Sequence, residues 1–255
     1  MLRPRVIPVL LVHKGGLYKT VGFREPKYVG DPINAVRIFN EKQVDELIVA
    51  DIDATPEGRE PDYNLIRSIA AECRMPFCYA GGVSRAEQVE KIIALGVEKV
   101  ALGSAAVTDP SLLAESARRV GSQSVVAVLD VRKSGILKRY ELFTHRGQRS
   151  TGMRPVEFAK RAQDCGAGEI LLNSVDHDGQ MKGYDIDLAR QVREAISLPM
   201  SVLGGAGQLE HIEALFRDIG VVGAAAGSLF VFKGKYRAVL ISYPSTAEKD
   251  RIART

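Results

Sequence analysis

The sequence predicts a closed α/β barrel of eight parallel strands with crossover helices, and three observations carry that prediction. Short aliphatic runs alternate with amphipathic stretches along the chain. The runs do not alternate apolar with polar, so both faces of each strand are expected to be covered. The second half of the chain repeats the first, which suits two half-barrels better than an open doubly wound sheet.

Residues 6–12, 46–50, 76–80, 99–102, 125–129, 169–172, 200–203 and 222–226 read as the strands, each four to seven residues long and mostly β-branched or aliphatic. The clearest helix spans 84–95, with Ser84 as N-cap, Glu87 three residues on, and Val89, Ile92 and Ile93 on one face. Residues 109–120, 154–165, 186–196 and 209–216 behave similarly. The repeat pairs Met75-Pro76-Phe77-Cys78-Tyr79-Ala80-Gly81-Gly82 with Leu198-Pro199-Met200-Ser201-Val202-Leu203-Gly204-Gly205, and each copy leads through a helix to Gly-Ser (Gly103-Ser104, Gly227-Ser228). Upstream, Glu46-Leu47-Ile48 pairs with Glu169-Ile170-Leu171, and Asp53 with Asp176. Residues 133–154 form a long polar loop in which 140–144 suit a small hairpin. Residues 1–255 read as one barrel domain of the ribulose-phosphate-binding kind.

Composition narrows the function classes. A chain of 255 residues that is 45% hydrophobic can bury a sizeable core. No apolar run approaches the roughly 20 residues that span a bilayer, and no leader opens the chain, so a cytoplasmic protein is expected. Cys73, Cys78 and Cys165 lack metal-ligand spacing, so reduced thiols and no metal are expected. The Asp176-His177-Asp178 run is too sparse to imply a metal. The net charge of +4 suits a phosphorylated small molecule or an acidic partner surface, not nucleic acid.

Barrel active sites form at the carboxyl ends of strands. Gly81-Gly82, Gly103-Ser104, Gly204-Gly205 and Gly227-Ser228 stand there, where glycine lets backbone N–H groups approach an anion and the following helix adds its positive end. Pairing the third strand with the fourth, and the seventh with the eighth, predicts two phosphate cradles on opposite sides of the mouth. Each glycine alone would also serve a tight turn. At the other face, Arg5, Glu46, Lys99 and Glu169 start strands, and two cations with two anions around one axis predict a closed salt-bridge ring.

Two half-barrels with such cradles resemble the histidine-biosynthesis barrels. Asp51-Ile52-Asp53-Ala54, Gly166-Ala167-Gly168-Glu169-Ile170-Leu171-Leu172, Asp176-His177-Asp178-Gly179, Gly183-Tyr184-Asp185 and Gly204-Gly205-Ala206-Gly207 with Glu210-His211 are similar to the cyclase subunit of imidazole glycerol phosphate synthase. The resemblance covers nearly the whole chain and is weakest after Phe232. It implies two carboxylates, at the ends of the first and fifth strands, acting as general acid and base. Asp130 matches the second; at the first stands Leu11, which transfers no proton. His13, two residues on, is a candidate substitute. Gly103 replaces the family's asparagine, and Leu203 a small polar residue. Lys19, Asp51, Ser104, Asn173 and Asp178 remain similar to the family's mouth. No cofactor is implied.

The resemblance also makes Arg5, Glu46, Lys99 and Glu169 the gate through which ammonia enters from a class I glutaminase docked at the amino-terminal face, with Glu98 facing that partner. The aromatic and basic stretch from Phe230 to Pro244, together with Leu11, is similar to a variant branch linked to surface-polysaccharide (O-antigen) genes. There the barrel supplies ammonia to a sugar-amidating enzyme acting on an acetamido sugar, cyclase activity being lost or weak. An active cyclase of histidine biosynthesis is the alternative. The related aldose–ketose isomerase also needs a carboxylate where Leu11 stands. The remaining charges at Glu57, Arg59 and Glu60, and at 249–251, read as solvated.

Overall fold

The computed structural model describes residues 3–253. β1 (Arg5–His13) turns into an antiparallel hairpin of β2 (Gly16–Val21) and β3 (Arg24–Gly30), followed by α1 (Pro32–Glu41). Then come β4 (Leu47–Asp51), α2 (Tyr63–Glu72), β5 (Phe77–Ala80), α3 (Ala86–Ile93), β6 (Lys99–Leu102), α4 (Ser104–Thr108) and α5 (Ser111–Val120). The second half opens the same way: β7 (Val125–Ser134) extends antiparallel with β8 (Arg139–Thr144), which pairs with β9 (Arg149–Ser150) before α6 (Pro155–Asp164). β10 (Glu169–Ser174), α7 (Ile186–Arg193), β11 (Met200–Leu203), α8 (Leu209–Ile219) and β12 (Gly223–Ala226) follow. The chain then forms α9 (Ser228–Val231), a short hairpin of β13 (Phe232–Lys233) and β14 (Ala238–Val239), and α10 (Thr246–Ile252).

Eight of these strands pair in parallel in the order β1, β4, β5, β6, β7, β10, β11, β12, and β12 returns to β1. That closure is the (βα)8 barrel the repeat predicts. It also explains the non-alternating runs. Ile7, Val9, Ile48, Cys78, Ala101, Val126, Leu171 and Ala225 point inward and fill the barrel. Their neighbours in sequence, among them Val6, Leu10, Val49, Val100, Leu172 and Ala224, point outward under the helices. Both faces are dry.

The residues 84–95 helix starts later than its sequence suggests. Arg85, not Ser84, is the N-cap, and the Gln88 side-chain oxygen accepts from the N–H groups of Ser84 (2.8 Å) and Arg85 (3.1 Å). A buried glutamine thus does the work expected of Glu87. The α1 and α2 helices begin at the Asp31 and Asp62 caps, whose carboxylates accept from Asn34 and from Asn64 and Leu65. No helix among the described residues is long and apolar enough to cross a membrane.

Candidate functional site at the barrel mouth

The carboxyl ends of the strands enclose a cavity of about 310 Å³. Asp130, Lys19, Asp51, Asn173 and Asp178 line it with all four glycine pairs: Gly81, Gly82, Gly103, Ser104, Gly204, Gly205, Gly227 and Ser228. Leu11 and Leu203 line it as well, both half-buried and packed on the apolar interior. These residues therefore meet in one place.

Strand register explains the convergence. Glu169, Leu171 and Asn173 share the inner face of β10, and Val126, Val128 and Asp130 that of β7. Asn173 and Asp130 are register partners, and Asn173 Nδ2 donates to Asp130 Oδ1 at 2.8 Å. Burial pushes the Asp130 carboxyl up to about 6; the Asn173 hydrogen bond opposes that and the nearby Asp178 charge adds to it. Asn173 Oδ1 is buried without a hydrogen-bond partner among the described residues.

Lys19 enters from β2 and is buried, with its ammonium bonded to the Val9 carbonyl. Burial lowers it to about 8, against the pull of Asp178. Asp178 accepts from Thr20 Oγ1 (2.8 Å) and Phe23 N (3.1 Å), so the Asp176-His177-Asp178 loop anchors the β2–β3 hairpin. Among the described residues no three potential ligands cluster to hold a metal. Asp51 accepts from Asp53 N (2.9 Å) and Ala54 N (3.1 Å), and burial raises its carboxyl.

The first of the mouth glycines is required by the close approach of neighbouring loops. Gly81 has φ +119°, and a Cβ there would stand 2.3 Å from the Asp51 carbonyl oxygen, so neighbouring loops require glycine whatever binds. The Gly82 N–H already donates to Thr55 Oγ1 at 3.2 Å, which removes one donor from its cradle.

Two readings change. His13, the candidate substitute for the missing carboxylate, closes β1, and its Nδ1 sits 2.7 Å from Asp53 Oδ1 with Tyr18 edge-on. It is not among the residues lining the cavity. Arg59 is not simply solvated: it lines the cavity with Nη1 3.7 Å from Asp51 Oδ2. Arg146, which the sequence reading passed over, lines it too. Only its place in the turn between β8 and β9 signals this.

At the opposite end, Arg5, Glu46, Lys99 and Glu169 form the closed ring. Arg5 pairs with Glu46 and, at 2.6 Å, with Glu169; Lys99 lies 2.9 Å from both carboxylates. Ser201 Oγ adds a 2.6 Å hydrogen bond to Glu169. Burial works against the charge on Lys99, but Glu169 and Glu46 outweigh it and hold its pKa above the ordinary value. The acids are more deeply buried than the cations, so the long basic side chains cap the ring from outside. Glu98 is exposed beside Lys99.

Comparison with known proteins agrees with this architecture. The model of a family described as histidine biosynthesis protein matches residues 5–237. A Vibrio vulnificus protein is 54% identical over 251 residues, covering 98% of this chain and 96% of its own, and is provisionally named imidazole glycerol phosphate synthase subunit hisF3. A Pseudomonas aeruginosa protein with the corresponding provisional name, hisF2, is 51% identical over 250 residues, with 98% and 99% covered. One from Leptospira interrogans, provisionally named as the HisF subunit, is 50% identical over 252 residues and covers 99% of both chains. With the closed barrel, these matches assign the chain to the histidine biosynthesis protein family, in its HisF-type cyclase group.

Proposed function

We propose that the chain is the ammonia-delivering subunit of a glutamine-dependent amidating complex. A class I glutaminase docks at the ring face, beside Glu98. Ammonia passes the ring of Arg5, Glu46, Lys99 and Glu169 and leaves at the mouth, where a separate enzyme uses it on an acetamido sugar of surface-polysaccharide biosynthesis. The observation that carries this reading is Leu11. It lines the cavity with Asp130, where two carboxylates would be needed for acid and base work, and it offers only a hydrocarbon surface.

The interior supports it. Between ring and mouth the inward side chains are aliphatic, small or thiol-bearing, and Leu11 and Leu203 carry that apolar lining into the cavity. Such a lining favours neutral ammonia over the ammonium ion, whose desolvation is costly. The packing is tight, so passage requires the flexible Arg5 and Lys99 side chains to swing aside. On this reading the chain alone has little or no cyclase activity.

The second reading is a working cyclase that forms imidazole glycerol phosphate. One observation favours it: Asp130, with a pKa of about 6, is tuned for proton transfer near neutrality. The deciding measurement is imidazole glycerol phosphate formation from the phosphoribulosyl-formimino carboxamide ribonucleotide, with saturating ammonium salt and no glutaminase. Loss of one acid/base group predicts a rate ~10²–10⁴ below a cyclase control, recovered at least in part by Leu11→Asp. A rate near the control would sink the delivery reading.

A further inference from the structure

The loop that leaves β7 crosses the mouth. His145 N donates to Ser104 Oγ at 3.0 Å, beyond the end of β6, and the next residue, Arg146, has Nη1 3.6 Å from Asp53 Oδ1, beyond the end of β4. β5 and β6 lie between β4 and β7. The β8–β9 turn therefore arches over the ends of β5 and β6, where Gly81-Gly82 and Gly103-Ser104 stand. His145, Arg146 and Gly147 all hold left-handed backbone angles there (φ 51°, 57° and 70°). Gly147 comes close to Phe23 of the first hairpin, so the turn is braced from that side too.

The guanidinium this turn carries is under-bonded. Arg146 is partly buried and lines the cavity, yet among the described residues its side chain makes no hydrogen bond. Its one ionic neighbour lies beyond hydrogen-bonding length, and Asp53 is already engaged by His13 and by Lys14 N. Arg59, from the loop after β4, lines the same cavity; its Nε donates to Glu57 at 2.5 Å, while its Nη1 lies 3.7 Å from Asp51. The Arg146 guanidinium and the Nη end of Arg59 thus stand near the cradle without a hydrogen bond among the described residues. A planar fork suits the oxygens of a phosphate, and a partly enclosed setting strengthens such a pair.

We propose that Arg146, with Arg59 lining the same cavity, clamps the phosphate of a phosphorylated ligand over the Gly81-Gly82 and Gly103-Ser104 side of the mouth. The clamp distinguishes that side from the Gly204-Gly205 and Gly227-Ser228 side, where the cation in place is the buried Lys19. The proposal rests on the mouth being an anion site, and its test separates the two ideas.

The test is a titration of the full chain with inorganic phosphate, followed by amide NMR shifts at Gly82, Gly103 and Ser104 on one side and Gly205, Gly227 and Ser228 on the other. Arg146→Gln should weaken the response of the first group roughly tenfold or more and leave the second unchanged. Arg146→Lys, keeping charge but not the fork, should fall between. Thermal unfolding of each variant checks that the fold is intact. Should Arg59→Gln alone produce the loss while both Arg146 variants bind like the parent, the clamp is overturned but the anion site stands. Equal loss on both sides also overturns the clamp. Absence of any response in the parent chain removes the anion site and the clamp with it.

Discussion

Asn173 Nδ2 donates to Asp130 Oδ1 at 2.8 Å across neighbouring strands, and this hydrogen bond works against the effect of burial on the Asp130 carboxylate. Because the folded-state pKa of Asp130, about 6, exceeds its ordinary 3.8, the folded protein binds this proton more tightly than the unfolded chain does. Its contribution to stability is full below pH ~4 and is lost as pH rises through ~6. Asp130→Asn should therefore stabilise the protein at pH 8 by about 1–3 kcal/mol, with the gain vanishing below pH ~4. Urea unfolding at the two pH values checks it; a stability difference independent of pH would contradict the assignment.

The salt-bridge ring makes a different prediction. Lys99 is shared by Glu46 and Glu169, so Lys99→Met leaves two buried carboxylates to one arginine. The expected loss is about 2–4 kcal/mol, little changed by about 0.5 M salt because the ring is mostly shielded. Adding Glu46→Gln to that variant should restore part of the loss by removing one of the competing charges. If the double variant is the less stable of the two, the ring is not a coupled unit.

How far the sequence could be read follows from which distances are local. Strand ends are local, so the ring residues and the glycine cradles could be placed from runs and repeats alone. The α1 and α2 helices, not among the expected stretches, carry ordinary start signals at Asp31-Pro32 and Asp62. Arg59 and Arg146 could not be assigned, because their contacts run across the mouth between loops far apart in sequence. The partner of His13 is hidden for the same reason: Asp53, which meets its ring, is 40 residues away.

Two glycines at the mouth should respond unequally to alanine. At Gly81 the positive φ and the Asp51 carbonyl, 2.3 Å from a Cβ, leave no room, so Gly81→Ala should cost about 2 kcal/mol or more and disturb Asp51. At Gly227 a Cβ would meet the Lys19 ammonium at 2.7 Å, the far end of a flexible side chain that holds the Val9 carbonyl. Gly227→Ala should cost less than about 1 kcal/mol and push Lys19 outward, raising its pKa from about 8 towards an ordinary lysine value. Melting temperatures and lysine titration by NMR would read both effects. A Gly227→Ala protein with an unchanged Lys19 pKa would place that ammonium elsewhere.

The C-terminal segment is sewn to the start of the barrel by Tyr243. Its hydroxyl donates to the Val6 carbonyl at 2.8 Å and accepts from Asp45 N at 3.1 Å, while Asp45 Oδ2 accepts from Val6 N at 2.9 Å. Lys249, from α10, closes the patch on Asp45 Oδ1, so the charge run at 249–251 is only partly solvated. Removing the hydroxyl leaves a strand carbonyl and an amide without their partner, whereas removing the lysine exposes a carboxylate that water can reach. Tyr243→Phe should therefore lower unfolding free energy by about 1–3 kcal/mol, and Lys249→Met by less than about 1 kcal/mol. Urea midpoints for the two variants decide the matter: a silent Tyr243→Phe would mean that the unusual C-terminal stretch lies against the barrel without contributing to its stability.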